Sequence, residues 1–204
     1  MGNPGTDVLR LLPAREGHFR LESGHHGHRW LDLETLCHDV SAVRSVARLL
    51  CVRLVAHEAD VVCGPLIEGA FVALLVAEQL ALPFTYAAPR PPSAEPLFPV
   101  LYRIPAGLRA KVAGRRVAVI NDVIGAGSAV RGTLDHLRAC GAQPVVIGTL
   151  ATAGDSAVRL AKEYGVALET LAEMDARIWT PAECPLCARD VPLVDVAAAG
   201  GAKP

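Results

Sequence analysis

From residue 40 onwards, hydrophobic positions follow two alternating spacings along the chain. Apolar residues at intervals of three and four predict amphipathic helices over residues 40–57, 68–82, 128–140 and 155–164. Short apolar runs between them predict strands over residues 59–64, 83–88, 116–121, 144–149 and 166–169. Gly141 and Gly165 each follow a predicted helix and indicate where it ends.

Strands that alternate with helices pair in parallel through right-handed crossovers. The pattern therefore predicts an α/β fold, an open twisted and mainly parallel sheet with helices on both faces. Ligands of such sheets bind at the carboxyl ends of the strands, which here points to the loops 64–69, 121–128 and 149–154. We expect one domain over residues 1–204, with a core at 40–170 and accessory pieces at 1–38 and 174–204.

Composition narrows the possible partners. A chain of 204 residues suits one domain with a sizeable core. Its 20 basic and 21 acidic residues nearly cancel, so the chain has no positive electrostatic field that would attract nucleic acid. The longest apolar run, residues 70–84, contains Glu78 and Gln79 and is too short to span a membrane. Residues 1–7 lack the basic start and the following apolar segment that are typical of a signal peptide, so none is expected. We expect a cytoplasmic protein with neither nucleic acid nor membrane as a partner.

One connection is unusually long and rich in proline. Residues 89–107 contain six prolines and lie beside the expected ligand edge of the sheet. Long loops in that position often close over a ligand, so this segment is predicted to be a lid.

The segment 117–130 carries the clearest chemistry. A buried strand leads to the polar pair Asn121-Asp122, and a turn of small residues, Gly125-Ala126-Gly127-Ser128, then opens a helix. Small residues let several backbone N–H groups converge, and a helix N-terminus favours negative charge, so this turn predicts a phosphate site. Asp122 suits sugar hydroxyls or a magnesium ion. The alternative role of Asp122 as a helix cap is less favoured, because it lies six residues before Ser128.

These motifs resemble the phosphoribosyl-diphosphate (PRPP) signature of the type I phosphoribosyltransferases. The wider chain is similar to the orotate phosphoribosyltransferase branch. Residues 17–24 with Trp30 resemble its N-terminal hood hairpin, residues 64–69 its pyrophosphate loop, and residues 179–193 its C-terminal tail. The resemblance covers roughly residues 17–195, with the motifs in the family's order.

The resemblance implies a role for each matching residue. Asn121 and Asp122 would hold the ribose hydroxyls in the catalytic centre, and Gly125, Ala126, Gly127 and Ser128 would hold the 5′-phosphate. The leaving pyrophosphate would be held, together with Mg²⁺, by Leu66, Ile67, Glu68, Gly69 and Arg90. The implied reaction joins a nucleobase to the ribose of PRPP and releases pyrophosphate. The resemblance also implies a homodimer.

Four features depart from the orotate enzymes. Asn121 stands where an acid is usual, and Glu68 adds a negative charge to the pyrophosphate loop. The lid segment 90–98 lacks lysine. Glu22 stands where the hood usually offers lysine, and residues 149–154 contain no arginine, so a base other than orotate is expected. The alternative function is a non-catalytic sensor that binds PRPP or a nucleotide.

The remaining candidates are cysteines and histidines. Cys184 and Cys187 have the spacing of half a zinc site, but there is no second pair of this spacing, and Cys37 and His38 are the other candidate ligands. We expect these cysteines to pack as hydrophobic residues. The histidines of the predicted hairpin, His25, His26 and His28, are expected to lie in a solvated or substrate-facing loop.

Overall fold

A computed structural model describes residues 4–12, 14–21, 24–90 and 101–195. The N-terminal part contains helix α1 (Pro4–Leu11) and strands β1 (Ala14–Arg20) and β2 (His26–Leu31), followed by a 3-10 segment, Leu33–His38. Helix α2 (Val40–Leu54) comes next and continues as a short 3-10 turn, Val55–His57. The side chain of Asp39 caps α2 by accepting a hydrogen bond of 3.0 Å from the backbone N–H of Ala42.

The central part alternates strands and helices. Its elements are β3 (Val61–Pro65), α3 (Glu68–Leu80), β4 (Phe84–Arg90), β5 (Leu101–Arg103), α4 (Ala106–Val112), β6 (Arg116–Ile124), α5 (Ser128–Ala139), β7 (Gln143–Ala153), α6 (Ser156–Tyr164) and β8 (Ala167–Met174). The strands form a six-stranded sheet in the order β5-β4-β3-β6-β7-β8. Every pairing is parallel except that of β4 with β5, so the predicted α/β fold is confirmed.

Helices cover both faces of this sheet, as its apolar strands require. On one face, α1, α2 and α3 form one buried cluster with alternate residues of β6 such as Ala118 and Ile120, and α1 itself contacts β7 and β8. On the other face, α5 and α6 pack against Val117 and Val119. Both sets of strand residues are 0% exposed, so the carboxyl edge of the sheet is the part left open to ligands.

A second, smaller sheet joins the two ends of the chain. The C-terminal part contributes β9 (Ile178–Trp179), two 3-10 turns (Pro181–Glu183 and Cys187–Arg189) and β10 (Val194–Asp195). The order of this sheet is β10-β1-β2-β9. We call these four strands the hood. A hood was expected from the resemblance alone, since β1 shows little apolar alternation.

Three expectations need correction. Residues 149–153 belong to β7 and not to a loop, because parallel pairing with β8 continues to Ala153. The expected lid, residues 89–107, contains β5 and the first two residues of α4, while its residues 91–100 lie outside the described residues. His26 is 4% exposed, so it does not lie in a solvated loop.

Within the described ranges, every helix is too short or too polar to cross a bilayer.

Candidate active site

The turn that opens α5 has the backbone geometry expected of an anion site. Gly127 adopts φ +82°, a left-handed conformation that glycine tolerates best, and α5 begins at the next residue, Ser128. Residues 125–128 are partly exposed, whereas the flanking Ile124 and Val130 are buried. The first helical turn of α5 contains no acidic residue. No negative side chain there offsets the positive end of the helix dipole and the free N–H groups, which therefore favour an anion at residues 125–128.

The polar pair lies within β6 and not at its end as predicted. The strand continues to Ile124, because residues 121, 123 and 124 pair with β7. Ile120 and Val123 nevertheless join the same core cluster, although residues three apart should face opposite sides of a strand. The alternation therefore shifts at Asn121 and Asp122, which are 8% and 5% exposed.

The Asn121 side chain is held by one hydrogen bond and lies against the loop before α3. Its Nδ2 donates a hydrogen bond of 2.9 Å to the carbonyl oxygen of Val123. Its Oδ1 lies only 2.1 Å from the position that a Cβ atom would take at Gly69. Because no side chain fits at this distance, glycine at position 69 lets the loop before α3 approach β6 closely.

That loop is the predicted pyrophosphate loop. The backbone N–H of Leu66 donates to the carbonyl oxygen of Ala87 over 2.8 Å, which ties the loop to β4. Ile67, joined to Leu66 by a cis peptide bond, is 57% exposed. Glu68 is the first residue of α3, where the helix dipole stabilises a negative charge. This position accounts for an acid that otherwise suits a pyrophosphate site poorly.

Two acidic groups influence the same thiol. Burial raises the pKa of Cys37, and the negative charges of Asp122 and Glu68 raise it further. Asp122 lies in β6, and Glu68 opens α3. Their neighbours Asn121 and Gly69 approach each other closely, which brings these two elements together at this edge of the sheet. Such a pair favours a cation between or beside the two groups.

Arginines stand on the neighbouring strands. Arg90 is the last residue of β4 and is exposed. Because β4 pairs in parallel with β3, Arg90 lies on the same carboxyl edge as the loop that follows Pro65. Arg103 of β5 pairs opposite Ala88 and is also exposed. These two arginines supply positive charge beside the predicted pyrophosphate loop.

The hood approaches the α5 turn from the other side. A Cβ atom placed on Gly125 would lie 3.3 Å from Cδ1 of Ile178 in β9. The backbone N–H of Arg177 donates to Nδ1 of His28 over 3.1 Å, and the His28 ring lies 6.0 Å from that of Trp179. The strand pairing of β2 with β9 thus places hood residues against the predicted phosphate turn.

Some of these contributions have no separate signal in the sequence. Ile178 and Arg177 follow β8 in a segment without periodicity, and only the pairing of β2 with β9 brings them to the site. Thr149 is 0% exposed, and its hydroxyl lies 2.8 Å from the carbonyl oxygen of Asp122. It thereby helps to fix the backbone at the polar pair. A buried threonine in an apolar strand could have suggested such a role.

Comparisons with known proteins match one family over most of the chain. The phosphoribosyl transferase domain family matches residues 42–182. Orotate phosphoribosyltransferase of Caldanaerobacter subterraneus is 26% identical over 185 residues, covering 91% of this chain and 90% of that protein. Orotate phosphoribosyltransferase of Pelotomaculum thermopropionicum is 30% identical over 178 residues, covering 87% of each.

Solved structures share the fold. Orotate phosphoribosyltransferase from Aeropyrum pernix superposes with a TM-score of 0.59 at 24% identity, over 79% of this chain and 88% of that one. Adenine phosphoribosyltransferase from Thermoanaerobacter pseudethanolicus superposes with a TM-score of 0.64 at 16% identity, over 83% of this chain and 99% of that one. At these identities the superpositions support the fold and not the choice of base.

Proposed function

Because the chain belongs to the phosphoribosyl transferase family, we propose that it transfers the phosphoribosyl group of PRPP to a nucleobase and releases pyrophosphate. One observation carries the proposal: the small-residue turn before α5, the buried Asp122 and the loop before α3 meet at one edge of the sheet. The turn suits a phosphate, the acid suits ribose hydroxyls, and the second loop is within reach of a group on the same ribose.

Each predicted site residue has a place in this proposal. Asp122 and Asn121 would orient the ribose, with Asp122 supplying the negative charge that stabilises an oxocarbenium-like transition state. The backbone of Gly125, Ala126, Gly127 and Ser128 would bind the 5′-phosphate. The leaving pyrophosphate would lie over Leu66, Ile67, Glu68 and Gly69, with Arg90 at its side.

Mg²⁺ fits the acidic character of this edge. Asp122 and Glu68 supply hard oxygen donors that magnesium prefers, and the ion would neutralise the diphosphate as it leaves. The proposal predicts that ribose 5-phosphate binds without Mg²⁺, whereas PRPP requires it. Isothermal titration calorimetry with each ligand, with and without Mg²⁺, measures this difference.

The base remains the open part of the proposal, and we expect it not to be orotate. Orotate carries a carboxylate that needs a cation, but residues 149–154 contain none. Glu22 lies outside the described residues. Arg177 is near the hood, but its Nε lies 3.9 Å from Oδ1 of Asp175, which already offsets part of its charge.

The decisive experiment is a pyrophosphate-release assay with PRPP, Mg²⁺ and a panel of bases that includes orotate, uracil and adenine. Asp122→Asn should lower kcat at least about 100-fold, because a charge facing the transition state is lost. Glu163→Gln is the matched control, since Glu163 pairs with Arg131 on the exposed surface of α5 and α6. Release with no base by the wild-type protein, or full activity of Asp122→Asn, would refute the proposal.

A second candidate function is a sensor that binds PRPP or a nucleotide without turnover. The specific observation in its favour is that the Asn121 amide is engaged by Val123 and provides no charge to the reaction. Under this alternative, calorimetry detects PRPP binding, no base yields pyrophosphate, and Asp122→Asn weakens binding only.

Two further expectations stay predictions. The family resemblance implies a homodimer, which light scattering after size-exclusion chromatography measures. A cytoplasmic location also stays a prediction from the sequence.

A further inference from the structure

Four potential metal ligands meet where the hairpin of the hood contacts the turns of the C-terminal tail, and none of them is a residue of the proposed active site. They are His18, His26, Cys184 and Cys187, and one ligand atom of each lies within 4.8 Å of all the others. His18 Nε2 lies 3.1 Å from His26 Nδ1 and 3.4 Å from the sulfur of Cys184. The sulfur of Cys187 lies 3.7 Å from His18 Nε2 and 3.2 Å from His26 Nδ1.

The strands and the tail explain this convergence. In the hairpin, Arg20 pairs opposite His26, and the register of β1 shifts between Glu16 and Phe19. His18 lies within this irregular stretch, where its ring contacts that of His26 with the ring centroids 5.0 Å apart. Cys184 and Cys187 flank a tight turn in which the backbone N–H of Ala188 donates to the carbonyl oxygen of Cys184. Parallel pairing of β10 with β1 brings this turn to the hairpin.

The distances match the edges of a tetrahedron around one ion. Zinc binds nitrogen at about 2.0–2.1 Å and sulfur at about 2.3 Å, which places tetrahedral ligands about 3.3 Å apart for two nitrogens and about 3.5 Å apart for nitrogen and sulfur. The measured N–N separation of 3.1 Å and N–S separations of 3.2, 3.4 and 3.7 Å lie within a few tenths of an ångström of these values.

The surroundings also suit a metal. His18 Nδ1 lies 2.8 Å from the carbonyl oxygen of Val191, an acceptor only, so this nitrogen carries the proton and Nε2 presents its lone pair to the cluster. His18, His26 and Cys184 are 2%, 4% and 3% exposed. A divalent ion with two thiolates and two neutral imidazoles has no net charge, so burial of the complete site carries little electrostatic penalty.

We propose that His18, His26, Cys184 and Cys187 bind one zinc ion as a structural site. Two imidazole and two thiolate ligands in tetrahedral arrangement select zinc over magnesium, calcium and manganese, which prefer oxygen. Four protein ligands leave no open coordination position, so the ion takes no part in the transfer reaction.

The zinc ion fastens the C-terminal tail to the N-terminal hairpin. The ligands on the two segments are at least 158 residues apart in sequence, from His26 to Cys184. The same hairpin holds β9, whose Ile178 lies against the phosphate turn at Gly125. Zinc therefore stabilises the hood in the position that closes one side of the proposed active site.

Metal analysis of the full chain tests the proposal. The protein is expressed in medium with Zn²⁺, dialysed against buffer without metal, and measured by inductively coupled plasma mass spectrometry. We expect about one zinc per chain in the wild type and at least tenfold less in Cys184→Ser/Cys187→Ser. Cys140→Ser is the matched control, because Cys140 also lies beside a histidine, His136, at 3.5 Å, but has no further ligands in the described structure. It should retain the full zinc content.

Cobalt substitution identifies the ligands even if a variant folds poorly. Wild-type protein reconstituted with Co²⁺ should show the intense visible bands and sulfur-to-metal charge transfer of a tetrahedral site with thiolates. Cys187→Ser, at the exposed ligand, should weaken the charge-transfer band by about half. Hydrogen exchange should become faster in residues 14–31 and 178–195 after chelation, and stay unchanged in β6.

Three results would overturn the proposal. They are a wild-type protein that holds no zinc, zinc content that survives in the double variant, and a Cys184–Cys187 disulfide found by mass spectrometry in protein purified under reducing conditions. None of these measurements depends on catalysis, so failure of the zinc proposal would not count against the proposed transferase function.

Discussion

The contact between Gly69 and Asn121 yields a sharp prediction. In Gly69→Ala, the new Cβ would lie 2.1 Å from Oδ1 of Asn121, 3.2 Å from its Cγ and 3.3 Å from Cγ of Pro65. Asn121 cannot turn away without cost, because its Nδ2 donates to the Val123 carbonyl oxygen in a buried position. The methyl group must therefore push the loop before α3 away from β6.

The size of the effect follows from the geometry. Nonbonded atoms prefer separations of about 3.5 Å, so the loop must shift by roughly 1 Å or more. Overpacking of this kind costs about 1–3 kcal/mol, partly offset by up to about 1 kcal/mol of helix propensity that alanine gains in α3. We expect a net loss of about 1–2 kcal/mol, or a decrease in Tm of roughly 2–8 °C for a chain of this size. A displacement of about 1 Å should also lower kcat/KM by up to about 100-fold.

Thermal unfolding and pyrophosphate-release kinetics measure both effects. Gly107→Ala is the control, since it lies at a similar place near the start of α4 with no atom within 4 Å of its Cβ position. That variant should be as stable as the wild type or slightly more stable, with unchanged kinetics.

A double-mutant cycle isolates the contact. In an Asn121→Ala background, the obstructing oxygen is absent, so Gly69→Ala should cost at least about 1 kcal/mol less than it does in the wild type. An equal cost in both backgrounds would refute the reasoning. A Gly69→Ala enzyme with wild-type Tm and kcat/KM would refute it as well.

Three further substitutions test individual features. Asn121→Asp replaces the amide that donates to Val123 by a buried carboxylate that can only accept. It should lower the free energy of unfolding, measured with urea, by about 1–3 kcal/mol at pH 7. Burial would raise the pKa of the new carboxyl group in the folded state, so this loss of stability should be smaller at pH 5. Gly127→Ala should lower the free energy of unfolding by about 1–2 kcal/mol, because its φ of +82° disfavours a side chain, and it should also lower activity. Gly114→Ala is the control: its φ is +72°, and no atom lies within 4 Å of its Cβ position. It should lose similar stability and keep its activity. Hydrogen bonds from the Ala42 N–H and then from the Ser41 hydroxyl hold the pKa of Asp39 below its usual value. The decrease in Tm of Asp39→Ala should therefore be constant above about pH 3.9 and become smaller as the pH falls through that lowered pKa, since the carboxyl group then loses its charge. Asp39→Ser should keep the cap without this pH dependence.

The core elements could be predicted from the sequence because each buries one periodic face. The apolar residues of α2 that fit the helical spacing, such as Val43, Val46 and Leu50, are those the structure buries. β6 extended further than its β-branched run predicted. Asn121 and Asp122 have low strand propensity, but pairing with the neighbouring strand β7 keeps this segment extended.

Features that depend on contacts between distant segments could not be predicted in this way. β1 and β2 carry charged residues, and the hood owes its form to strands contributed by both ends of the chain. The histidines of β1 and β2 therefore gave no signal of a partner. Cys184 and Cys187 indicated half of a metal site, but the other half lies on strands that pair with the tail only in the folded protein.

The two helix N-termini at the candidate site differ in charge, and this difference bears on how a polyanion would bind. The first turn of α5 contains no acid, whereas Glu68 opens α3 and already offsets the positive end of its dipole. A monophosphate thus finds uncompensated positive charge at the turn before α5. A diphosphate over the loop before α3 meets Glu68, and only a cation between them makes that position favourable. In the proposed reaction, Mg²⁺ and Arg90 therefore neutralise the pyrophosphate, whereas the backbone N–H groups before α5 are sufficient to bind the 5′-phosphate.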